Sequence, residues 1–204
     1  VGKLQEEFAK LGFSTQEILD ASEATLELAT ATGSDLAQSA KVAAATINGF
    51  GLEAKDTQKI VDIMAKSFTN SALDINKFET AMASVAPVAA TVGFSIEQTT
   101  ASLGTLTDAG FDASTAGTAL RNILLDTQKA GLTTSEAFAK IRNSLDPAST
   151  ALDLFGKRGA AVAITLANNE EKTKEFATSL ENAAGSAKQM AAVVGDTLEG
   201  DLKR

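Results

Sequence analysis

The sequence predicts an all-α protein: a compact array of short helical hairpins with Gly-Phe turns, ending in a longer C-terminal helix. Three observations predict it. Apolar residues recur every three or four positions through most of the chain, the period of a helix face. Glycine, often followed by phenylalanine, interrupts that period repeatedly, and a Ser, Thr or Asp then stands where the next helix needs an N-cap. Prolines number only two, which with the regular period argues for helix throughout.

Taken in order, Val1 to Lys10 reads as the end of a helix with Leu4 and Phe8 on one face. Leu11-Gly12-Phe13 breaks it, and Ser14 with Glu17 forms a capping box. Ile18, Ser22, Leu26 and Ala29 continue the next helix to Thr32-Gly33. Ser34 or Asp35 caps a third, whose seam is Leu36, Ala40, Ala43, Ile47 and Phe50. That spacing suits a helix packed along another helix, and Gly49-Phe50-Gly51 ends it. Asp56 starts a helix with Ile60, Ile63, Met64 and Phe68 inward, and Asn70-Ser71 turns the chain. Phe78, Met82, Val85, Ala89 and Val92 form another seam, and Pro87 within it is expected to kink the helix or mark its restart.

Val92 to Ala130 reads as a central hairpin. Ser95 and Gln98 box its first helix, and Ile96, Leu103 and Leu106 line it. Ala109-Gly110-Phe111 stops that helix, with Phe111 folding back on the last turn, and Asp112 or Ser114 starts the second. Ala116, Leu120, Ile123, Leu124 and Thr127 share one face, and the small residues Ala113, Ala116, Gly117 and Ala119 allow close approach to a neighbour. Beyond Ala130-Gly131-Leu132, Thr133 and Glu136 form a third capping box, followed by inward Phe138, Ile141 and Leu145. Asp146-Pro147 opens a short helix anchored by Leu152 and Phe155. Gly156 and Gly159 flank Lys157-Arg158, and Ala160 to Ala167 is an apolar helix. From Glu170 a stripe of Phe176, Leu180, Ala183, Ala187, Met190, Val194 and Leu198 predicts one long helix, weakened by Gly185, Gly195 and Gly200. The expected organisation is a helical core over 1–168 and a long helix over 169–204 that continues into the rest of a longer protein. The start at Val1 and the end at Lys203-Arg204, inside a helical pattern, fit a segment of a longer chain. Leu11 to Glu17 also resembles Val92 to Gln98, a short internal repeat.

The chain carries a formal net charge of −8, which disfavours direct binding to nucleic acid phosphates. Phenylalanine is the only aromatic, and many apolar residues are alanine, so the core is expected to be thin and closely packed. There is no cysteine and no histidine, which removes Cys nucleophiles, His-dependent triads and the usual zinc sites. No apolar run of about 18 residues offers a membrane span.

The segment Gly93 to Asp126, above all Ala109-Gly110-Phe111 followed by Ala116-Gly117-Thr118-Ala119-Leu120-Arg121, resembles the core region of the phage tail tape measure protein family. The likeness extends upstream to Gly12–Ala40 and Asn48–Asp56, and more loosely downstream to Leu154–Ile164 and the final helix. It weakens over Thr133 to Leu154, where this chain has only the short Asp146-Pro147 junction. The resemblance implies a structural virion protein that sets tail length through a long helical rod and takes part in tail assembly and genome ejection. It implies a homo-oligomer, contacts with the tail tube protein, the tail-tip or baseplate hub proteins and the tail assembly chaperones, and membrane contact only through other parts of the full protein. The implied locations are the tail lumen or tip of the virion and the host cytoplasm during assembly.

No catalytic, cofactor-binding or metal-binding residue is expected. Glu6-Glu7 and Glu170-Glu171 read as solvated faces, since adjacent helical residues do not face each other. Gly49-Phe50-Gly51-Leu52-Glu53-Ala54 imitates a dinucleotide fingerprint but follows a helix, so it reads as a turn. Gly156-Lys157-Arg158 lacks the rest of a P-loop and reads as a helix junction. Arg121 is expected to pair with Asp108, Asp112 or Asp126, with an interface contact as the alternative, and the terminal stripe is either a partner face or intramolecular packing. Two other classes stay open: a membrane-active helical toxin or effector, and a helical muramidase-type enzyme using a raised-pKa acid such as Glu97 or Glu136.

Overall fold

The computed structural model describes residues 2–10 and 12–202. Among them the chain forms α1 (Gly2–Lys10), α2 (Thr15–Thr32), α3 (Leu36–Phe50), a single 3-10 turn at Ala54–Asp56, α4 (Thr57–Asn70), α5 (Ile75–Thr91), α6 (Ile96–Asp108), α7 (Ala113–Lys129), α8 (Thr134–Arg142), α9 (Pro147–Asn168), α10 (Glu170–Glu181) and α11 (Ser186–Leu202). The all-α expectation holds. Leu11 and the side chain of Leu198 lie outside the described residues.

Three capping boxes fix helix starts from purely local chemistry. The Ser14 N–H donates to Glu17 Oε2 at 2.7 Å, the Ser95 N–H to Gln98 Oε1 at 2.9 Å and the Thr133 N–H to Glu136 Oε2 at 2.7 Å. In return the Glu17, Gln98 and Glu136 N–H groups donate to the three hydroxyls. Asp35, Asp74, Asp112 and Asp146 cap α3, α5, α7 and α9 with one carboxylate each. A cap of this kind is worth about 1 kcal/mol, so the helix starts are chosen before any tertiary contact forms.

The chain divides into two units, Val1–Asn70 with Leu180–Arg204, and Ser71–Ser179. In the first, α2 is central and packs on α1, α3, α4 and α11. Leu4, Phe8, Ile18, Ala21, Ala40 and Ala44 form a buried cluster there, with Phe13 and Leu36 against it. Phe13 stacks on Phe8 with ring centroids 5.1 Å apart. Each large side chain fully buried in this way contributes about 1.5–3 kcal/mol.

In the second unit, α5 and α7 make the most extensive contact, α7 also packs on α9, and α8 pairs with α9. The approach of α5 to α7 is set by Gly117. A Cβ built there would lie 2.5 Å from the Ala81 carbonyl oxygen and 2.7 Å from Ala81 Cα. Only a residue without a side chain lets the two backbones meet. Around this contact Phe78, Val85, Ala116, Leu120 and Ile123 are buried.

Buried hydroxyls need partners, and the helices supply them. Thr25, Thr46, Thr99 and Thr107 each donate to the carbonyl four residues back. An Ala- and Thr-rich chain can thus close-pack without stranding polar groups. Thr100 is the exception among the described residues, its hydroxyl buried with no partner.

Several expectations are corrected. Leu26 is not on the inner face of α2. It is half-exposed, and the buried face is Ile18, Ala21, Thr25 and Leu28, turned toward the neighbouring helices. Leu145 lies fully exposed in the bend between α8 and α9, and Leu152 is half-exposed, leaving Phe155 as the anchor of that short helix. Pro87 does not mark a restart, since α5 runs unbroken from Ile75 to Thr91. It is exposed, as is Ala83, so water can replace the donor that the Ala83 carbonyl loses. The long helix expected from 169 onward is instead α10 and α11, separated by a bend in which Gly185 adopts φ 80°.

Replacing Gly117 with Ala is expected to cost about 1–3 kcal/mol, the range for overpacking, and to lower the urea midpoint accordingly. An unchanged midpoint would mean that α5 and α7 can separate freely.

Candidate functional site

Glu170, the first residue of α10, is a buried acid of the second unit, only 7% exposed. Three elements converge on it. Arg142, at the end of α8, pairs with Glu170 Oε2 and also donates to the Ala167 carbonyl at 3.1 Å. Ser135, in the first turn of α8, donates to Oε1. Lys174, one turn along α10, reaches Oε1 at 2.9 Å. One carboxylate thereby ties α8, the end of α9 and α10 together. The solvated-face expectation is wrong for Glu170 and holds for Glu171, which points to water. Burial pushes the Glu170 carboxyl up, but the bonds from Ser135, Lys174 and Arg142 outweigh it and hold the group below its ordinary 4.5. A carboxylate so saturated with donors is a structural knot and a poor general acid.

The other acids considered from the sequence fare similarly. Glu136 spends its carboxylate on the α8 cap, and the Thr133 backbone and hydroxyl bonds lower its pKa, the reverse of what a catalytic acid needs. Glu97 is buried in the first turn of α6. Arg121 does not form the expected ion pair. Its guanidinium donates to Asn122 Oδ1, and no carboxylate pairs with it among the described residues. Its helical neighbour supplies an acceptor one residue away, so no rearrangement toward Asp108, Asp112 or Asp126 is required. Gly51 ends α3 in the left-handed conformation directly after a helix, so the Gly49–Ala54 segment is a turn. Gly156 breaks α9 at φ 62° and ψ 179°, which makes Gly156-Lys157-Arg158 a helix junction.

A cleft of about 290 Å³ opens between the α5–α6 and α7–α8 turns, lined by Val92, Gly93, Phe94, Gln98, Leu124, Thr127, Gln128 and Leu132–Thr134. Its polar groups are amides and hydroxyls. With no ionisable side chain in the lining, it can hold hydrogen bonds but cannot move a proton. Large apolar side chains also face outward among the described residues: Leu19 and Leu26, two turns apart on α2, Val193 on α11, and Leu125, Leu145 and Leu152 in the second unit. Among the described residues no helix is long and apolar enough to cross a membrane, and no group of three acidic side chains could hold a metal ion. The Glu170 knot is not visible as a site in the sequence, because it depends on residues brought together from different helices.

The model of the phage-related minor tail protein family matches residues 1–159. The chain belongs to that family. It is similar to a tape measure protein of Pneumococcus phage Dp-1, 30% identical over 227 residues that cover 98% of this chain and 20% of that protein. It is also similar to a probable tape measure protein of Escherichia phage P2, 26% identical over 226 residues, covering 96% of this chain and 28% of that protein. This minor tail family member therefore spans well under a third of the length of these relatives. No solved structure matches it. The family match runs from α1 through the glycine break in α9 and stops short of Glu170, so the knot lies outside it.

Glu170→Gln is expected to cost about 1–3 kcal/mol, the worth of hydrogen bonds to a charged group, kept modest because Arg142 and Lys174 remain partly in water. The depressed pKa gives a sign. Its contribution is complete above the unfolded value near 4.5 and is lost as pH falls through the lower folded value. Urea midpoints measured from pH 7 to pH 3 should therefore fall more steeply for the wild type than for E170Q, and parallel curves would disprove the role.

Proposed function

We propose that this chain is a folded, non-enzymatic part of a phage tail tape measure protein, acting by shape and contact, while the length-setting rod lies elsewhere in the full protein. The observation that carries the reading is the near-complete match of the chain to about a fifth of one tape measure protein and about a quarter of another, joined to a fold whose glycine turns reverse the helices repeatedly. A ruler counts length because a helix rises about 1.5 Å per residue, and a chain that keeps turning back cannot count. The partners in this reading are further copies of the chain, the tail tube protein, the tail-tip or baseplate hub proteins and the tail assembly chaperones. The protein works in the tail lumen or tip of the virion and in the host cytoplasm during assembly, and it leaves ahead of the genome at ejection. The exposed leucines of α2 and of the α8–α9 region are the natural contact points. The occupied and lowered carboxylates of Glu136 and Glu170 support a role without bond-making.

An in-frame deletion of this segment from the phage gene, read by electron microscopy of the particles, tests the reading. The expected result is a loss of complete tails, with any that form at full length. Tails shortened by about 300 Å, the length of 204 residues at the helical rise, would make the segment part of the ruler. Normal yield and infectivity would remove it from tail function.

A further inference from the structure

The bend between α10 and α11 lacks the local cap found at most other helix starts. At α2, α3, α5, α6, α7, α8 and α9 the N-cap is a Ser, Thr or Asp beside the helix it starts. The bend carries the sequence Asn182-Ala183-Ala184-Gly185, with no such residue at the cap position and no proline. Its backbone donors are met from α4 instead. Asp62, buried at 3% exposure, accepts from the Gly185 N–H at 3.0 Å through Oδ2 and from the Ala187 N–H at 2.9 Å through Oδ1. One turn further along α4, Lys66 Nζ donates to the Asn182 carbonyl at 2.8 Å. One helix face thus holds both ends of the bend, 116 to 125 residues away in sequence.

The sequence across the bend retains the pattern of an uninterrupted helix. Phe176, Leu180, Ala183, Ala187, Met190 and Val194 keep a spacing of 4, 3, 4, 3 and 4 straight through residues 182–185, and alanine is the strongest helix former. A turn has no reason to preserve that register, whereas a helix does. We infer that residues 182–185 are a two-position hinge: bent while Asp62 and Lys66 engage it, and straight when they release it, with residues 170–202 then forming one helix about 50 Å long. Release does not strand the buried charge, because Asp62 and Lys66 stand four residues apart on α4, acid first, the favourable order for a helical ion pair. Straightening also withdraws α11 from α2 and α4, the two helices it covers. This inference is independent of the tail reading and holds for the chain whatever its role.

Gly185 supplies the test. It sits at φ 80°, and a Cβ there would meet nothing within 4 Å. Gly185→Ala therefore disfavours the bend through the backbone alone, and it favours helix. Asp62→Asn weakens the hold from the other side. The chain has no native cysteine, so spin labels at Glu23→Cys on α2 and Asp196→Cys on α11, both exposed positions of the first unit, report one distance. It is short while α11 lies on α2 and lengthens when straightening carries α11 away. The expected result is a predominantly short distance in the otherwise wild-type protein and a several-fold larger long-distance population in G185A and in D62N. Should D62N fail to fold, G185A alone decides, since it removes no contact. A folded G185A protein, checked by circular dichroism and cooperative melting, that keeps only the short distance would overturn the hinge.

Discussion

The backbone N–H groups of Phe13, Leu52, Phe94, Phe111 and Leu132 all do the same thing: each donates to the carbonyl five residues back, at 2.9 to 3.1 Å. The residue before each is a glycine at positive φ, whose own N–H donates to the carbonyl three residues back. This pair of bonds satisfies the last carbonyls of a helix and reverses the chain within two residues. A side chain at the glycine would cost about 1–2 kcal/mol in that conformation, so the turn positions are written into the sequence. Where a Ser, Thr or Asp follows within one residue of the apolar plug, the chain is already capped for the next helix. The fold is this stop-and-start unit repeated, and everything else is arranged around the lengths it allows.

Those lengths are short, and short helices built from alanine bury little area each. The chain compensates by bringing backbones close. At Gly117 the two helices touch main chain to main chain, and Gly104 likewise leaves room for the Phe176 ring, which would lie 2.6 Å from a Cβ there. Close approach raises the number of dispersion contacts per residue. It also demands that buried hydroxyls be satisfied within their own helix, as the threonines are. A core of this kind leaves little tolerance for larger side chains at the crossing points.

How much of this the sequence discloses depends on the range of the interaction. The boxes at Ser14, Ser95 and Thr133 are legible because donor and acceptor lie three residues apart, and the face of α7 is legible because a single helix, α5, dominates its packing. Leu26 misleads because α2 is covered from several directions, so the buried stripe is set by neighbours and the apolar pattern alone is ambiguous. Leu145 misleads because an apolar residue just past a helix end continues the period without being in the helix. Glu170 and Asp62 cannot be read at all. Glu170 has partners 28 and 35 residues distant and Asp62 has partners 123 and 125 residues distant, and a buried acid looks like any solvated one until its donors are in place.

The same distinction separates two kinds of helix junction in one chain. Junctions held by local chemistry survive whatever happens to the rest of the molecule, because stop and start signals lie within a few residues. A junction held from another helix lasts only as long as that helix is there. The Glu170 knot and the Asp62 cap are both of the second kind, and both govern α10 and α11, beyond the last residue of the family match. Most junctions within residues 1–159 carry their own stop and start signals, while α10 and α11 are held in addition from other helices. A change that removed that surface would leave the early hairpins intact and set the last two helices free to adopt the period their sequence prefers.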